Sequence, residues 1–175
     1  MTLLASAKKL NPYNAEYPFY QAYFSIPVEH ASSAMLEKHP INLEHAHQFY
    51  RQAITLRPHS GHIWAQYANA LLESNSDIEK TVNTIEKALA LAPYQLAVLQ
   101  TELKIGLTYW DHLSKKQKQQ LRTSTDYLLE HKPGLVINTA VAHGLAKPLR
   151  LLLKKEKDIH QLDRALVKQE KNHAN

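Results

Sequence analysis

A six-residue helix ending, Ala-x-x-Leu-x-Pro, occurs three times in this chain and constrains its fold more than any other feature. The three copies are residues 7–12, 53–58 and 88–93. The small alanine lets a neighbouring helix approach closely, the leucine completes an apolar stripe, and the proline stops the helix because it has no backbone N–H. A helix ending that recurs along one chain is typical of stacked helical hairpins. The sequence therefore predicts an all-α fold of antiparallel hairpins.

The spacing of the proline stops divides the chain into units of 46, 35 and 40 residues, ending at Pro58, Pro93 and Pro133. In the middle unit, apolar residues at i, i+3, i+4 and i+7 predict a first helix. These residues are Trp64, Tyr67, Ala68 and Leu71. A second helix follows the polar break at 74–77, and Ser76 with Glu79 three residues later predicts a capping box. We expect the residue that exceeds a 34-residue repeat to lie in this turn.

The flanking units vary the same pattern. In the preceding unit, Asn42 is the predicted N-cap of the second helix, and twelve surplus residues between Pro27 and Pro40 predict an insert at about 27–41. In the following unit we predict a first helix from about Gln95 to Tyr109. Its second helix opens with another capping box, formed by the residues Ser114 and Gln117.

The C-terminal part, residues 134–175, is predicted to cap the repeats of residues 1–133. Pro148 predicts the first turn of a last helix, and Lys168 to Asn175 a frayed tail. The apolar stripe of that helix is Leu149, Leu152, Ile159, Leu162 and Leu166. A repeat stack needs such a solvating cap at its end.

With these residues in view, the stretch from Ala7 to Pro93 resembles the tetratricopeptide repeat superfamily. Pro18 and Leu103 depart from its pattern, since they replace a tryptophan and a small residue. The resemblance implies a short right-handed solenoid whose first helices line a concave groove, with no enzymatic activity and no cofactor. The groove contacts it implies are Phe19, Tyr23, His62, Asn69, Glu73, Gln100 and Lys104. Such a mixture suits an extended peptide or a sugar chain, whereas the alternative is ordinary packing or a solvated surface.

A narrower likeness covers residues 10–17, Leu-Asn-Pro-Tyr-Asn-Ala-Glu-Tyr, followed by two repeats and a basic helical end. This arrangement is similar to small VpsP-like repeat proteins of bacterial polysaccharide clusters and to the periplasmic tails of O-antigen ligases. It implies an accessory, scaffolding role in exopolysaccharide or capsule assembly, in the periplasm or at the inner membrane; the alternative is the cytoplasm. Only eleven residues precede Pro12, so we expect either a lone capping helix or a native N-terminus that continues into an anchor.

Six of the fourteen aromatic residues lie between Tyr13 and Phe24. One helix cannot bury them on a single stripe, because at 100° per residue they spread around most of its circumference. Two arrangements would cover the remaining rings. One is a homodimer, and the other is burial beneath the insert around Ala31 to Leu36.

Composition excludes several classes of site. The chain has no cysteine, four glycines and no run of about 18 apolar residues, which leaves no disulfide framework, phosphate loop or membrane span. No catalytic motif stands out, so we expect a non-catalytic protein. Eleven histidines invite a metal site, but His45 and His47 point about 200° apart on a helix, and His59 and His62 lack a third ligand at a suitable spacing. We expect no metal.

The net charge of +5 is concentrated in the second part of the chain. Residues 1–110 hold 8 Lys/Arg and 9 Asp/Glu, whereas residues 111–175 hold 13 and 7. The candidate basic patch consists of Lys115, Lys116, Lys118, Arg122, Lys147, Arg150, Lys154, Lys155 and Lys157. It could bind nucleic acid, lipid headgroups or an acidic polysaccharide. Because glutamines and leucines interrupt it and no stacking aromatic is evident, the alternative is simple solvation of helices.

Overall fold

Every regular element among the described residues is a helix. The computed structural model describes residues 6–7, 9–25 and 43–173. We number the α-helices in chain order: α1 (Glu16–Tyr23), α2 (Leu43–Leu56), α3 (Gly61–Glu73), α4 (Ile78–Leu91), α5 (Leu96–Thr108), α6 (Lys115–His131), α7 (Pro133–Ala142), α8 (Ala146–Arg150) and α9 (Glu156–His173). A short 3₁₀ helix, Trp110–His112, precedes α6. The predicted insert and Asn42, the predicted N-cap of α2, lie outside the described residues.

The chain divides into two compact units, Met1–Val98 and Leu99–Asn175. In the first unit each helix packs on the next, from α1 to α4. Its core consists of Ala15, Phe19, Ala22, Tyr50, Ala53, Ile63, Tyr67, Ala70 and Leu71. Four of these nine residues are alanines, which keep the helix axes close together.

The alanines of the repeated ending behave as the sequence predicts. Ala53 and Ala88 are fully buried. Helix α2 ends at Leu56 and α4 at Leu91, in each case two residues before the proline. The prediction that the proline motif ends a helix and packs its alanine is therefore confirmed at both sites.

Helices α3 and α4 form an antiparallel hairpin, because they pack on each other and only residues 74–77 join them. Asn75 takes the left-handed conformation, with φ of 48°. The N–H groups of Asn75 and Ser76 donate to the carbonyl oxygens of Leu72 and Leu71, both at 3.0 Å. This is a Schellman arrangement, and it satisfies two carbonyls at the end of α3.

The predicted capping box of Ser76 and Glu79 is wrong. Asp77 is the N-cap of α4, and its carboxylate accepts a hydrogen bond from the Lys80 N–H at 2.8 Å. The Ser76 hydroxyl instead lies 2.8 Å from that of Ser74. The turn that closes α3 places Asp77, one residue later, at the start of α4.

The second unit is organised around α7, which packs on α6, α8 and α9. Its fully buried side chains include Leu121, Leu128, Ile137, Leu149 and Leu162. The capping box predicted at the start of α6 is confirmed: Gln117 N–H donates to the Ser114 hydroxyl, and Ser114 N–H donates to the Gln117 side-chain oxygen.

Two predictions for the C-terminal part are wrong. The single helix expected after Pro148 is two helices, because the chain turns after Arg150 and buries both Leu152 and Leu153. On a continuous helix these adjacent leucines would point about 100° apart. The residues predicted to fray are helical up to His173, and Gln169 ties that turn to the unit by donating to the Val141 carbonyl oxygen. Among the described helices, none is long and apolar enough to cross a membrane.

The close approach of α3 and α4 is testable at Gly61. A Cβ atom at this position would lie 2.6 Å from the Ala92 Cβ and 2.9 Å from the Ala88 carbonyl oxygen. We expect Gly61→Ala to lower the free energy of unfolding by about 1–3 kcal/mol, because backbone must move to admit the methyl group. Chemical denaturation measures this change.

Gly134→Ala is the matched control, since a Cβ at that position meets nothing within 4 Å. It lies in the first turn of α7, where alanine favours the helix, so stability should stay equal or rise by up to about 1 kcal/mol. Equal stability of both variants and the parent protein would contradict the tight packing at Gly61.

Candidate functional site

Aromatic side chains from α1 and α3 meet on one side of the first unit. The ring centroids of Phe19 and His62 are 5.3 Å apart, and those of Phe19 and Tyr23 are 6.3 Å apart with nearly parallel planes. Asn69 and Glu73 follow His62 by 7 and 11 residues, a spacing that keeps them on the same side of α3. We call these five residues the aromatic face. The structure therefore brings Phe19 of α1 into contact with His62 of α3, and Asn69 and Glu73 follow on the same side of α3.

The residues of the aromatic face differ in their exposure. Phe19 is only 7% exposed and belongs to the core, so its predicted role as an open contact is corrected to that of a supporting wall. Tyr23 is 46% exposed, and Glu73 is exposed as well. His62 and Asn69 are half-buried. A partner would thus touch Tyr23, His62, Asn69 and Glu73.

Two buried polar atoms beside this face have no hydrogen-bond partner in the described part of the chain: the Tyr50 hydroxyl and Nδ1 of His62. The Tyr50 ring packs edge-on against Phe19, with centroids 6.1 Å apart. Burial raises the pKa of Tyr50, and the nearby Tyr23 hydroxyl raises it further. Tyr50 therefore stays protonated and keeps a hydrogen-bond donor next to the face. Leaving such buried groups unsatisfied costs stability.

His62 is held in its neutral form. Burial lowers its pKa, and the neighbouring Glu16 carboxylate opposes that shift only in part. Glu16 itself pairs with Arg57, whose guanidinium lies 2.7 Å from the carboxylate at the exposed edge. Because the folded state prefers neutral His62, this residue stabilises the fold above its unfolded pKa, and that stability is lost as the pH falls below it. At neutral pH the imidazole offers one donor and one acceptor.

The other two predicted groove residues belong to the second unit. Gln100 is exposed on α5, and its amide donates to the Thr139 hydroxyl at 3.3 Å. Lys104 is half-buried on the same helix. The exposed aromatic rings near α1 include Tyr13, Tyr20 and Phe24, and the segment that was predicted to cover them lies outside the described residues.

The candidate basic patch is less uniform than the sequence suggests. Arg150 is paired with Asp163, and Lys154 with Asp126 at 2.6 Å, so carboxylates of the same unit neutralise these two. Lys118 and Arg122 instead lie over the Trp110 ring, 5.1 and 5.8 Å from its centroid. The inference that the patch lacks an aromatic is therefore wrong. The sequence pattern does not predict this contact, because Trp110 lies outside α6, in the preceding 3₁₀ helix.

Sequence reasoning missed Glu102 on α5. Its carboxyl is buried, and burial raises its pKa to about 7, while the Ser124 hydroxyl opposes the shift through a hydrogen bond. Its Oε2 has no partner among the described residues. A signal was present, because Val98 and Ile105 stand four residues before and three after Glu102, and both are buried. A carboxylate between two buried positions of one helix face is expected to be desolvated.

No three histidine, aspartate or glutamate side chains come close enough to hold a metal ion in the part of the chain that the structure describes. His47 makes a structural contact instead. His47 Nε2 lies 3.1 Å from the Ser74 hydroxyl and 3.3 Å from the Ala70 carbonyl oxygen, linking α2 to the end of α3.

No protein-family model matches the chain, and no curated protein matches it either. The function is therefore inferred from the residues of the chain and their geometry.

Glu102 makes a pH-dependent prediction. Because its pKa is higher in the folded than in the unfolded state, its contribution to stability is full below about pH 4.5 and is lost as the pH rises through 7. We expect Glu102→Gln to unfold at nearly the same denaturant concentration as the parent at pH 4.5. At pH 8.5 it should be more stable by up to about 3 kcal/mol.

Denaturant unfolding across this pH range checks the prediction. Glu130→Gln is the control, because it removes an exposed carboxylate from the same unit. A difference between Glu102→Gln and the parent that does not change with pH would contradict the raised pKa of Glu102.

Proposed function

We propose that this protein is a non-catalytic interaction scaffold of the tetratricopeptide repeat type, which holds an extended segment of a partner protein against the aromatic face. The observation that carries the proposal is the contact between Phe19 and His62. This contact holds α1 against α3, the two helices that the repeat pattern predicts to be the first helices of successive hairpins. Presenting several first helices to one ligand is how stacked hairpins bind extended chains.

The chemistry of the face suits a polypeptide. The Tyr23 ring offers an exposed apolar surface with a polar end, while the Asn69 amide and the His62 imidazole can each donate and accept hydrogen bonds. His62, Asn69 and Glu73 are spread over roughly 16 Å of helix axis, which about five residues of extended chain can follow.

Binding fits this face better than catalysis. Among the described residues, His62 Nδ1 has no carboxylate or hydroxyl partner that would orient the imidazole as a general base. A nucleophile needs such an oriented base within hydrogen-bond reach. We therefore assign His62 to ligand contact.

A peptide selected on the protein tests the proposed groove. We expect a 12-residue peptide, enriched from a random display library on the full chain, to bind Tyr23→Ala/Asn69→Ala at least tenfold more weakly than the parent. Both substitutions remove contact groups from the aromatic face and leave the core unchanged. Fluorescence anisotropy with the labelled peptide measures the dissociation constants.

Glu79→Ala/Lys87→Ala is the control, since both side chains are exposed on α4 of the same unit. Its affinity should stay within twofold of the parent. Peptides that bind the Tyr23→Ala/Asn69→Ala variant as tightly as the parent would refute this groove. If no peptide is enriched and the protein binds sugars on a glycan array, the ligand of the groove is a glycan.

For the biological setting we propose accessory work in bacterial surface polysaccharide assembly, with a membrane-bound component of that machinery as the partner, in the periplasm or at the inner membrane. The similarity of residues 10–17 to small repeat proteins of such systems supports this setting. The aromatic face would hold the partner in place while other proteins perform the chemistry.

Gene deletion and complementation test the setting. We expect deletion in the native bacterium to lower surface polysaccharide at least severalfold, and the parent gene to restore it. Tyr23→Ala/Asn69→Ala should fail to restore it, whereas Glu79→Ala/Lys87→Ala should succeed. Quantifying uronic acid and hexose in cell-surface extracts measures the effect, and unchanged polysaccharide after deletion would exclude this setting while leaving the groove itself intact.

A further inference from the structure

A second interaction surface lies at the start of α6, in the other unit of the chain. Lys118 and Arg122 both stack on Trp110, and Lys115 and Lys116 precede them in the first turn. We propose that these five residues, the basic surface, form a docking site for an acidic helix of a protein partner. This site goes beyond the aromatic face and does not depend on it.

The charges of the basic surface lack internal compensation. Residues 115–122 contain four cations and no acidic residue. Among the described residues no carboxylate pairs with any of the four, whereas Arg150 and Lys154 of the same unit each have an aspartate partner. The unit thus neutralises some of its cations and leaves this group available to an external anion.

The charges of the basic surface also destabilise the first turns of α6. The Ser114 capping box fixes the start of α6, so Lys115, Lys116 and Lys118 all occupy its first turn. Cations there face the positive end of the helix dipole, and the spacing of Lys118 and Arg122 places like charges on adjacent turns. A helix whose first turn carries uncompensated cations breaks a local rule of helix stability. Such exceptions are typical of functional surfaces. A bound anion would relieve both repulsions.

Trp110 prepares the cations for binding. Stacking on the indole holds the ends of Lys118 and Arg122 within about 6 Å of one ring, which reduces the freedom they lose when a partner binds. The same contact occupies the ring, which is not among the exposed large apolar side chains. Single-stranded nucleic acids bind through open aromatic platforms, which the covered Trp110 ring does not provide. An anionic membrane or a polyanion would bind here through charge alone, whereas a helix can also match the spacing of the cations.

The spacing of the charges favours an acidic helix. Lys115, Lys118 and Arg122 lie on one side of α6, with rises of about 4.5 and 6 Å between successive residues. Glutamates at i, i+3 and i+7 of a second helix have the same rises. A helix laid along α6 therefore matches the basic surface charge for charge, which fixes its register.

Two designed peptides test the proposal on the full-length protein. The first is an 18-residue alanine-based helix with its glutamates on one face at i, i+3 and i+7, and the second is an isomer with the same glutamates spread around the helix. We expect the one-face peptide to bind at least tenfold more tightly at 150 mM salt, measured by fluorescence anisotropy. The one-face peptide should also bind at least tenfold more tightly than single-stranded oligothymidine or heparin fragments of equal charge.

Charge-matched variants identify the surface. Lys118→Glu/Arg122→Glu should weaken the one-face peptide at least tenfold, and a cooperative thermal unfolding transition should show that the variant is folded. Lys168→Glu/Lys171→Glu changes net charge equally at two exposed positions on α9 and should weaken binding less than twofold. Equal binding of the two peptides, equal or tighter binding of oligothymidine or heparin, or equal losses in both variants would each overturn the proposal.

Discussion

Close approach between helices, made possible by small side chains, is the constraint on which the first unit depends. Gly61 leaves no room for a methyl group beside Ala88 and Ala92, and the alanines of the repeated ending at 53 and 88 are fully buried. Helices held this near leave little space for large core side chains, so much of the stabilising contact comes from many small surfaces. The larger rings of Phe19, Tyr50 and Tyr67 fill the space where three helices meet.

This packing decides where function can reside. Residues on α2 and α4 pack into the interior of the first unit, as Ala53 and Ile85 show by their burial. Side chains of α1 and α3 that are not needed in the core are left on one side, where Tyr23, Asn69 and Glu73 remain accessible. The proposed binding surface therefore consists, apart from Phe19, of side chains that the core does not need, and these can change without altering the core.

Much of this could be predicted from the sequence, because local rules determined it. The proline stops, the alanine phase and the Ser114 capping box each depend on a few neighbouring residues, and they are present in the structure. Contacts between distant residues were harder. The position of Phe19 on its helix predicts a groove residue. In the structure Phe19 packs against Tyr50, 31 residues later, and is part of the core. Asp77 replaced Ser76 as the cap since the turn after α3 shifted the next helix by one residue.

The basic surface shows why charge in a sequence cannot be interpreted without geometry. The nine cations of the candidate basic patch are indistinguishable in the sequence, but Arg150 and Lys154 have internal partners, whereas Lys118 and Arg122 lie over an indole. An ion pair within the chain satisfies both charges, while a cation on a ring keeps its full charge and stays oriented. Selection for stability alone would favour acidic residues in the first turn of α6, as in the first turns of α1 and α4. Their replacement by lysines is the expected result when a surface is selected for what binds to it.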